Sequence, residues 1–165
     1  MSPARRLVFV HGLEGSSQGF KAQYLRRLFP EIHTPDFSGS LQERMAQLDA
    51  VLGIEAGWKL IGSSFGGLMA ALFACRHPQQ VTRSILLAPA LIWPDFAAAL
   101  PGPVDVPTVI YHGRHDDVIP LALVQALAEQ VFRNLTFHTV DDDHGLHKTV
   151  QAIDWPALVG LDDDG

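Results

Sequence analysis

All-apolar runs and helical stripes alternate along the chain. Leu7-Val8-Phe9-Val10 is apolar throughout, as a strand buried on both faces requires. Phe20, Tyr24, Leu25 and Leu28 then recur at helical spacing until Pro30 ends the stripe. Ile32-His33-Thr34 predicts a short strand, closed by Pro35. Ser40-Leu41-Gln42-Glu43 reads as a capping box, with Leu41, Met45, Leu48, Val51 and Leu52 behind it and Gly57 after it. Trp58 to Ile61 predicts the next strand, and Leu68 to Arg76 a helix stopped near Pro78. Ser84 to Ala88 and Thr108 to Tyr111 are two more buried strands. Pro120 opens a helix as a first-turn proline, with Leu121, Val124, Leu127, Ala128 and Val131 on one face. Leu135 to Val140 alternates and predicts the last strand. A final helix is expected from about His147 to Val159, restarted at Pro156.

Six strands separated by helices predict an α/β fold: a doubly wound, six-stranded, mainly parallel sheet with helices on both faces and right-handed crossovers. No repeat or linker divides residues 1–165, so a single domain is expected, with 161–165 (around Asp162-Asp163-Asp164) a frayed acidic tail. Ligands of such sheets bind at the carboxyl ends of the strands. The residues just past each strand are therefore where chemistry is sought.

Composition narrows the classes. The 165 residues are 47% hydrophobic, enough for one sizeable core. Net charge is −6 with only 12 lysines and arginines, and no basic cluster exceeds Arg5-Arg6 or Arg26-Arg27, which argues against a nucleic-acid partner. Leu7 to Val10 is too short for a signal-peptide core, and no window approaches a membrane span. The one cysteine, Cys75, excludes an internal disulfide, and its mid-helix position reads as a buried apolar residue rather than a nucleophile. A soluble, cytoplasmic protein is the expectation.

Between the strand at Trp58 and the helix at Leu68 stands Gly62-Ser63-Ser64-Phe65-Gly66. Gly-x-Ser-x-Gly is the sequence form of a nucleophile elbow, a sharp strand-to-helix turn that lifts a serine hydroxyl above the sheet. A serine held at positive φ costs roughly 1–2 kcal/mol, and glycines on either side remove the Cβ atoms that would clash. Such a pattern arises by chance in a chain of this length about one time in twenty, so alone it is also compatible with a plain structural turn or a phosphate-holding loop. Its context is more specific. After Tyr111 comes His112-Gly113-Arg114-His115-Asp116-Asp117-Val118-Ile119-Pro120, and after Val140 comes Asp141-Asp142-Asp143-His144-Gly145-Leu146-His147. Serine, aspartate and histidine thus follow one another, each just past a strand. A serine hydroxyl needs a base within hydrogen-bond reach, and the imidazole needs a carboxylate to fix its tautomer. His112-x-x-His115 and His144-x-x-His147 also offer a zinc reading, but no cysteine set or HExxH helix supports it. No metal and no cofactor are expected.

Val10-His11-Gly12, Gly62 to Gly66, His112-Gly113-x-x-Asp116-x-x-Ile119-Pro120 and Asp143-His144-Gly145 together resemble the α/β-hydrolase superfamily at its small, nearly lidless end. The resemblance spans almost the whole chain. It implies Ser64 as nucleophile, Asp116 as acid, selected over Asp117 by the spacing, and His144 as base rather than His147. It implies oxyanion donors at the backbone N–H groups of Leu13 and Phe65, with His11 shaping the first loop and His112 and His115 the acid loop. In place of a lid stand only Pro89 to Pro103, room for one or two helical turns. Leu91, Ile92, Trp93 and Phe96 either wall an acyl site or cover the core edge. The expected activity is hydrolysis of a small carboxylic ester or thioester through an acyl-enzyme. The alternatives are a non-catalytic binding domain on the same fold, or peptide, C–C or perhydrolysis chemistry on the same three residues.

Overall fold

The computed structural model describes residues 6–160, and the expected frayed tail at 161–165 lies outside them. Strands β1 (Leu7–Val10), β2 (Trp58–Ser63), β3 (Val81–Leu87), β4 (Thr108–Gly113) and β5 (Leu135–Val140) form one parallel sheet in the order β1-β2-β3-β4-β5. The sheet has five strands, not six. The segment expected to add a strand at Ile32–Thr34 makes a single parallel bridge, His33 to Val8. His33 N–H donates to Leu7 O and Phe9 N–H donates to His33 O, both at 2.9 Å. The ladder stops there because Ile32 N–H is taken by Phe29 O in the turn before it, and Pro35 has no N–H to offer after it. The bridge still lies on the side of β1 away from β2. The chain therefore steps outward from β1 before reversing to β2, and the crevice at that reversal opens at the carboxyl ends of β1 and β2.

Helices α1 (Phe20–Leu28), α2 (Leu41–Leu52), α3 (Phe65–Arg76), α4 (Pro94–Ala97), α5 (Leu121–Val131), α6 (His147–Ala152) and α7 (Trp155–Val159) cover both faces. Alternate strand residues divide the apolar interior in two. Val8, Val10, Leu60, Leu86 and Ile110 pack with α2, α3 and α5, while Leu7, Phe9, Ile61, Ile85 and Leu87 pack with α1, α6 and α7. α3 is buried from Phe65 to Ala74, which explains why it is apolar all round.

Local chemistry sets the helix ends. The capping box forms as read: Glu43 N–H donates to Ser40 Oγ and Ser40 N–H to Glu43 Oε1, both at 3.1 Å. Pro120 is the residue before α5 rather than its first. The last helix breaks in two at Ile153, and Asp154 restarts it by accepting from Ala157 N–H. β2 runs on to Ser63 and α3 starts at Phe65, so Ser64 alone makes the turn between them. Among the described residues no helix is long and apolar enough to cross a membrane.

Candidate active site

Ser64 has φ 56° and ψ −115°, a strained conformation for a residue with a Cβ. Backbone hydrogen bonds hold it there. Its N–H donates to Leu87 O at 2.9 Å, and its carbonyl accepts from Gly67, Ala90 and Leu68 N–H at 3.0 to 3.2 Å. The flanking glycines are required by close approach. A Cβ on Gly66 would fall on the carbonyl oxygen of Val10, and one on Gly62 on the carbonyl of Gly66. Without side chains there, α3 enters directly against β1 and β2.

The loop after β1 lies beside this turn. A Cβ placed on Gly12 would meet Ser64 Cβ at 3.4 Å and Phe65 N at 3.7 Å. His11, buried, braces that loop: its Nδ1–H donates to Gly12 O at 2.7 Å, and Phe37 N–H donates to its Nε2 at 2.9 Å. Leu13 follows in the turn closed by Gly15 N–H to Gly12 O, and Phe65 is the first residue of α3. Neither N–H has an acceptor among the described residues, as expected for a helix's first N–H group.

The structure brings Ser64, His144 and Asp116 together. Asp116 Oδ2 accepts from His144 Nδ1–H at 2.8 Å, so Nε2 carries a lone pair, and Ser64 Oγ–H donates to it at 3.0 Å. The carboxylate is fully buried, whereas the His144 side chain is 24% exposed. Asp116 Oδ1 accepts from Val118 N–H (2.9 Å) and Ile119 N–H (2.8 Å). Burial alone would raise this carboxyl. The hydrogen bonds from Ile119, His144 and Val118 outweigh it and hold the group below the ordinary carboxylate range.

The remaining histidines serve other ends. His112 is fully buried, its Nε2–H donating to Ile119 O at 2.9 Å and lying 3.2 Å from Asp116 Oδ2. It therefore clamps the turn that holds the acid. Burial pushes its imidazole below the ordinary histidine range, outweighing the pull of Ile119 O and Asp116. His115 reaches outward to Asp141 Oδ1 at 2.8 Å, and His147 lies against Phe20 with ring centroids 4.7 Å apart. Among the described residues no three His, Cys, Asp or Glu side chains converge as metal ligands would. Cys75 is half-buried against the core rather than fully buried, and burial pushes its thiol up to about 12.

Two supports were not singled out in the sequence. Asp142 fastens the histidine loop: its Oδ2 accepts from Thr149 N–H (2.9 Å) and Thr149 Oγ–H (2.7 Å), its Oδ1 from Asp143 N–H (2.8 Å). Arg44 is 7% exposed beneath the elbow, with its guanidinium 5.7 Å from the centroid of the Phe65 ring. A signal existed for Arg44, since position 44 stands at helical spacing with Leu41 and Leu48 on the buried stripe of α2.

The residues offered as an acyl wall divide. Leu91 and Phe96 have no exposure at all and belong to the core between sheet and helices, so they meet no substrate. Phe96 is the buried residue of the single-turn α4, which opens at Pro94. Ile92 is half-buried on the same core. Trp93 is 40% exposed and packs edge-on to Phe65 at 5.1 Å. Concavities of about 580 and 420 Å³ lie at the amino ends of the strands, around Val81 and Pro107, and beside α6, around Tyr111 and Lys148; neither includes Ser64.

The sequence matches no family model and no curated protein. Solved structures do match. A protein of Xanthomonas campestris pv. campestris, assigned to the α/β superfamily of hydrolases, superposes with a TM-score of 0.80 at 26% identity, over 99% of each chain. Est1E from Butyrivibrio proteoclasticus gives a TM-score of 0.73 at 17% identity, over 96% of this chain and 86% of its own. A monoacylglycerol lipase from Paleococcus ferrophilus gives 0.69 at 16% identity, over 94% of each chain.

Proposed function

We propose that this chain, an α/β-hydrolase by superfamily and fold, is a serine esterase acting on a small carboxylic ester or thioester, with Ser64 as nucleophile, His144 as base and Asp116 as the acid that orients it. The observation that carries this reading is the relay Ser64 Oγ to His144 Nε2 (3.0 Å) and His144 Nδ1 to Asp116 Oδ2 (2.8 Å), in the one tautomer that leaves Nε2 free to take a proton. As Ser64 Oγ bonds to the acyl carbon, its proton passes to His144, and the carbonyl oxygen becomes an oxyanion facing the Leu13 and Phe65 N–H groups. Each such donor is worth about 10²–10³ in rate. Collapse expels the alcohol or thiol, which takes the proton from His144. Water then adds with His144 again as base, releasing the acid and restoring the Ser64 hydroxyl. The buried Asp116 stays ionised throughout and stabilises the imidazolium between steps. A monoacylglycerol lipase among the structural neighbours favours carboxylic esters over the other chemistries that share these three residues. The test is p-nitrophenyl acetate hydrolysis by the wild type and Ser64→Ala. Turnover lost in the variant supports the reading; equal turnover in both contradicts it.

A further inference from the structure

We propose that Arg44 recognises a carboxylate at the far end of the substrate's acyl chain, an inference that rests on the esterase reading above. Arg44 sits in the first turns of α2, only 7% exposed. Its Nε–H donates to Gly39 O at 2.9 Å, and its guanidinium lies over the Phe65 ring. Nη1 is buried with no hydrogen-bond partner, and no carboxylate stands within ion-pairing range of the group among the described residues. A guanidinium N–H buried without an acceptor is disfavoured, and native proteins rarely leave a buried donor unsatisfied. Cation–π contact with Phe65 offsets only part of that cost. A ligand carboxylate is the complement this geometry lacks, because the planar guanidinium fork matches a carboxylate two-pronged.

The two faces of the sheet decide which half of the substrate carries the anion. His144, which must protonate the leaving group, belongs to the loop whose Leu146 packs into the core with α1, α6 and α7. Arg44 lies on the opposite face, on α2 beside Met45, Leu48 and Phe65, which pack in the other core. The leaving group is thus drawn towards the histidine loop and the acyl chain towards Phe65. The exposed Trp93, edge-on to that same ring, supplies apolar contact for the methylenes between carbonyl and carboxylate. The substrate class is a monoester or monothioester of a dicarboxylic acid.

The experiment compares mono-p-nitrophenyl esters of four- to eight-carbon dicarboxylic acids with p-nitrophenyl esters of uncharged fatty acids of equal chain length. At the best length, the wild type should prefer the charged ester by about tenfold or more in kcat/KM, the range of a charge-assisted contact. Arg44→Met keeps an unbranched apolar stem over Phe65 and removes the charge, so the ratio should fall to about one. A wild type with no preference overturns the inference, whatever the variant does. A preference that survives in Arg44→Met overturns it too, as does an equal loss on both esters, which marks a purely structural arginine. Uncharged esters hydrolysed by the wild type but not by Ser64→Ala, without charge preference, leave the esterase reading standing and this inference fallen. Neither ester hydrolysed overturns this inference, and removes the esterase reading as well where p-nitrophenyl acetate turnover is equal in the wild type and Ser64→Ala.

Discussion

The Asp116 carboxylate is surrounded by donors on every side: Val118 and Ile119 N–H at one oxygen, His144 Nδ1–H at the other, with His112 Nε2–H at 3.2 Å. Removing its charge would leave these donors in place but reverse what His144 is offered. An Asn there can present N–H to Nδ1 and favour the wrong tautomer, and loss of the orienting acid in such relays costs about 10⁴ in kcat. Asp116→Asn should therefore lose about that much turnover, whereas Asp117→Asn, outside the relay, should stay within about threefold. Steady-state kinetics on the two variants decides it, and the opposite ranking would mean the acid is misassigned. The sequence shows a serine, an aspartate pair and a histidine loop each just past a strand, while the choice of Asp116 over Asp117 and His144 over His147 rests on the family resemblance; the hydrogen-bonded contact among the three is visible only in the structure. The His112 clamp was only partly legible. Its place in the acid loop follows from its neighbours, but its bond to Ile119 O depends on a turn whose closure no local pattern specifies.

At the scale of elements, each loop at the site is pinned by a short polar fastening rather than by packing alone. The histidine loop hangs on Asp142, whose bonds to Thr149 outweigh its burial and hold its carboxyl below the ordinary range. A carboxyl lowered on folding stabilises the fold at pH values above its unfolded pKa, about 3.9, and that share is lost as pH falls through the folded value. Asp142→Ala should thus lower stability at pH 7 by up to about 1 kcal/mol, solvent screening included, with a gap from the wild type that narrows once pH falls well below about 3.9. Urea unfolding at the two pH values measures it; a gap that stays constant with pH would contradict the fastening. This acidic run reads as solvent-exposed in sequence, since nothing in Asp141-Asp142-Asp143 tells which carboxylate faces a helix. The strand expected at Ile32–Thr34 failed for a related reason. Its residue types suit a strand, but the turn before it and Pro35 after it leave room for one bridge. The elbow was sharper than read, because Gly62 and Gly66 let helix and strand meet at a single residue.

Over the whole molecule, the reversal of winding at β1 and the two cores set the site's position. α3, buried all round, fixes Ser64 from beneath, and the loops after β1, β4 and β5 meet it from three directions. The α/β class and the parallel sheet were legible from strand-helix alternation, although the sheet has five strands rather than the expected six. The acyl wall was not, because an apolar stretch such as Leu91 to Phe96 reads the same whether it lines a site or fills a core, and only tertiary packing separates exposed Trp93 from buried Leu91 and Phe96. The central claim, a serine activated by this convergence, is tested most directly by labelling the folded protein with a fluorophosphonate and locating the adduct by peptide mass spectrometry. The adduct is expected on Ser64, stoichiometric in the wild type and reduced by orders of magnitude in His144→Ala. No adduct on Ser64 in folded protein, or one equally fast without His144, would contradict the account.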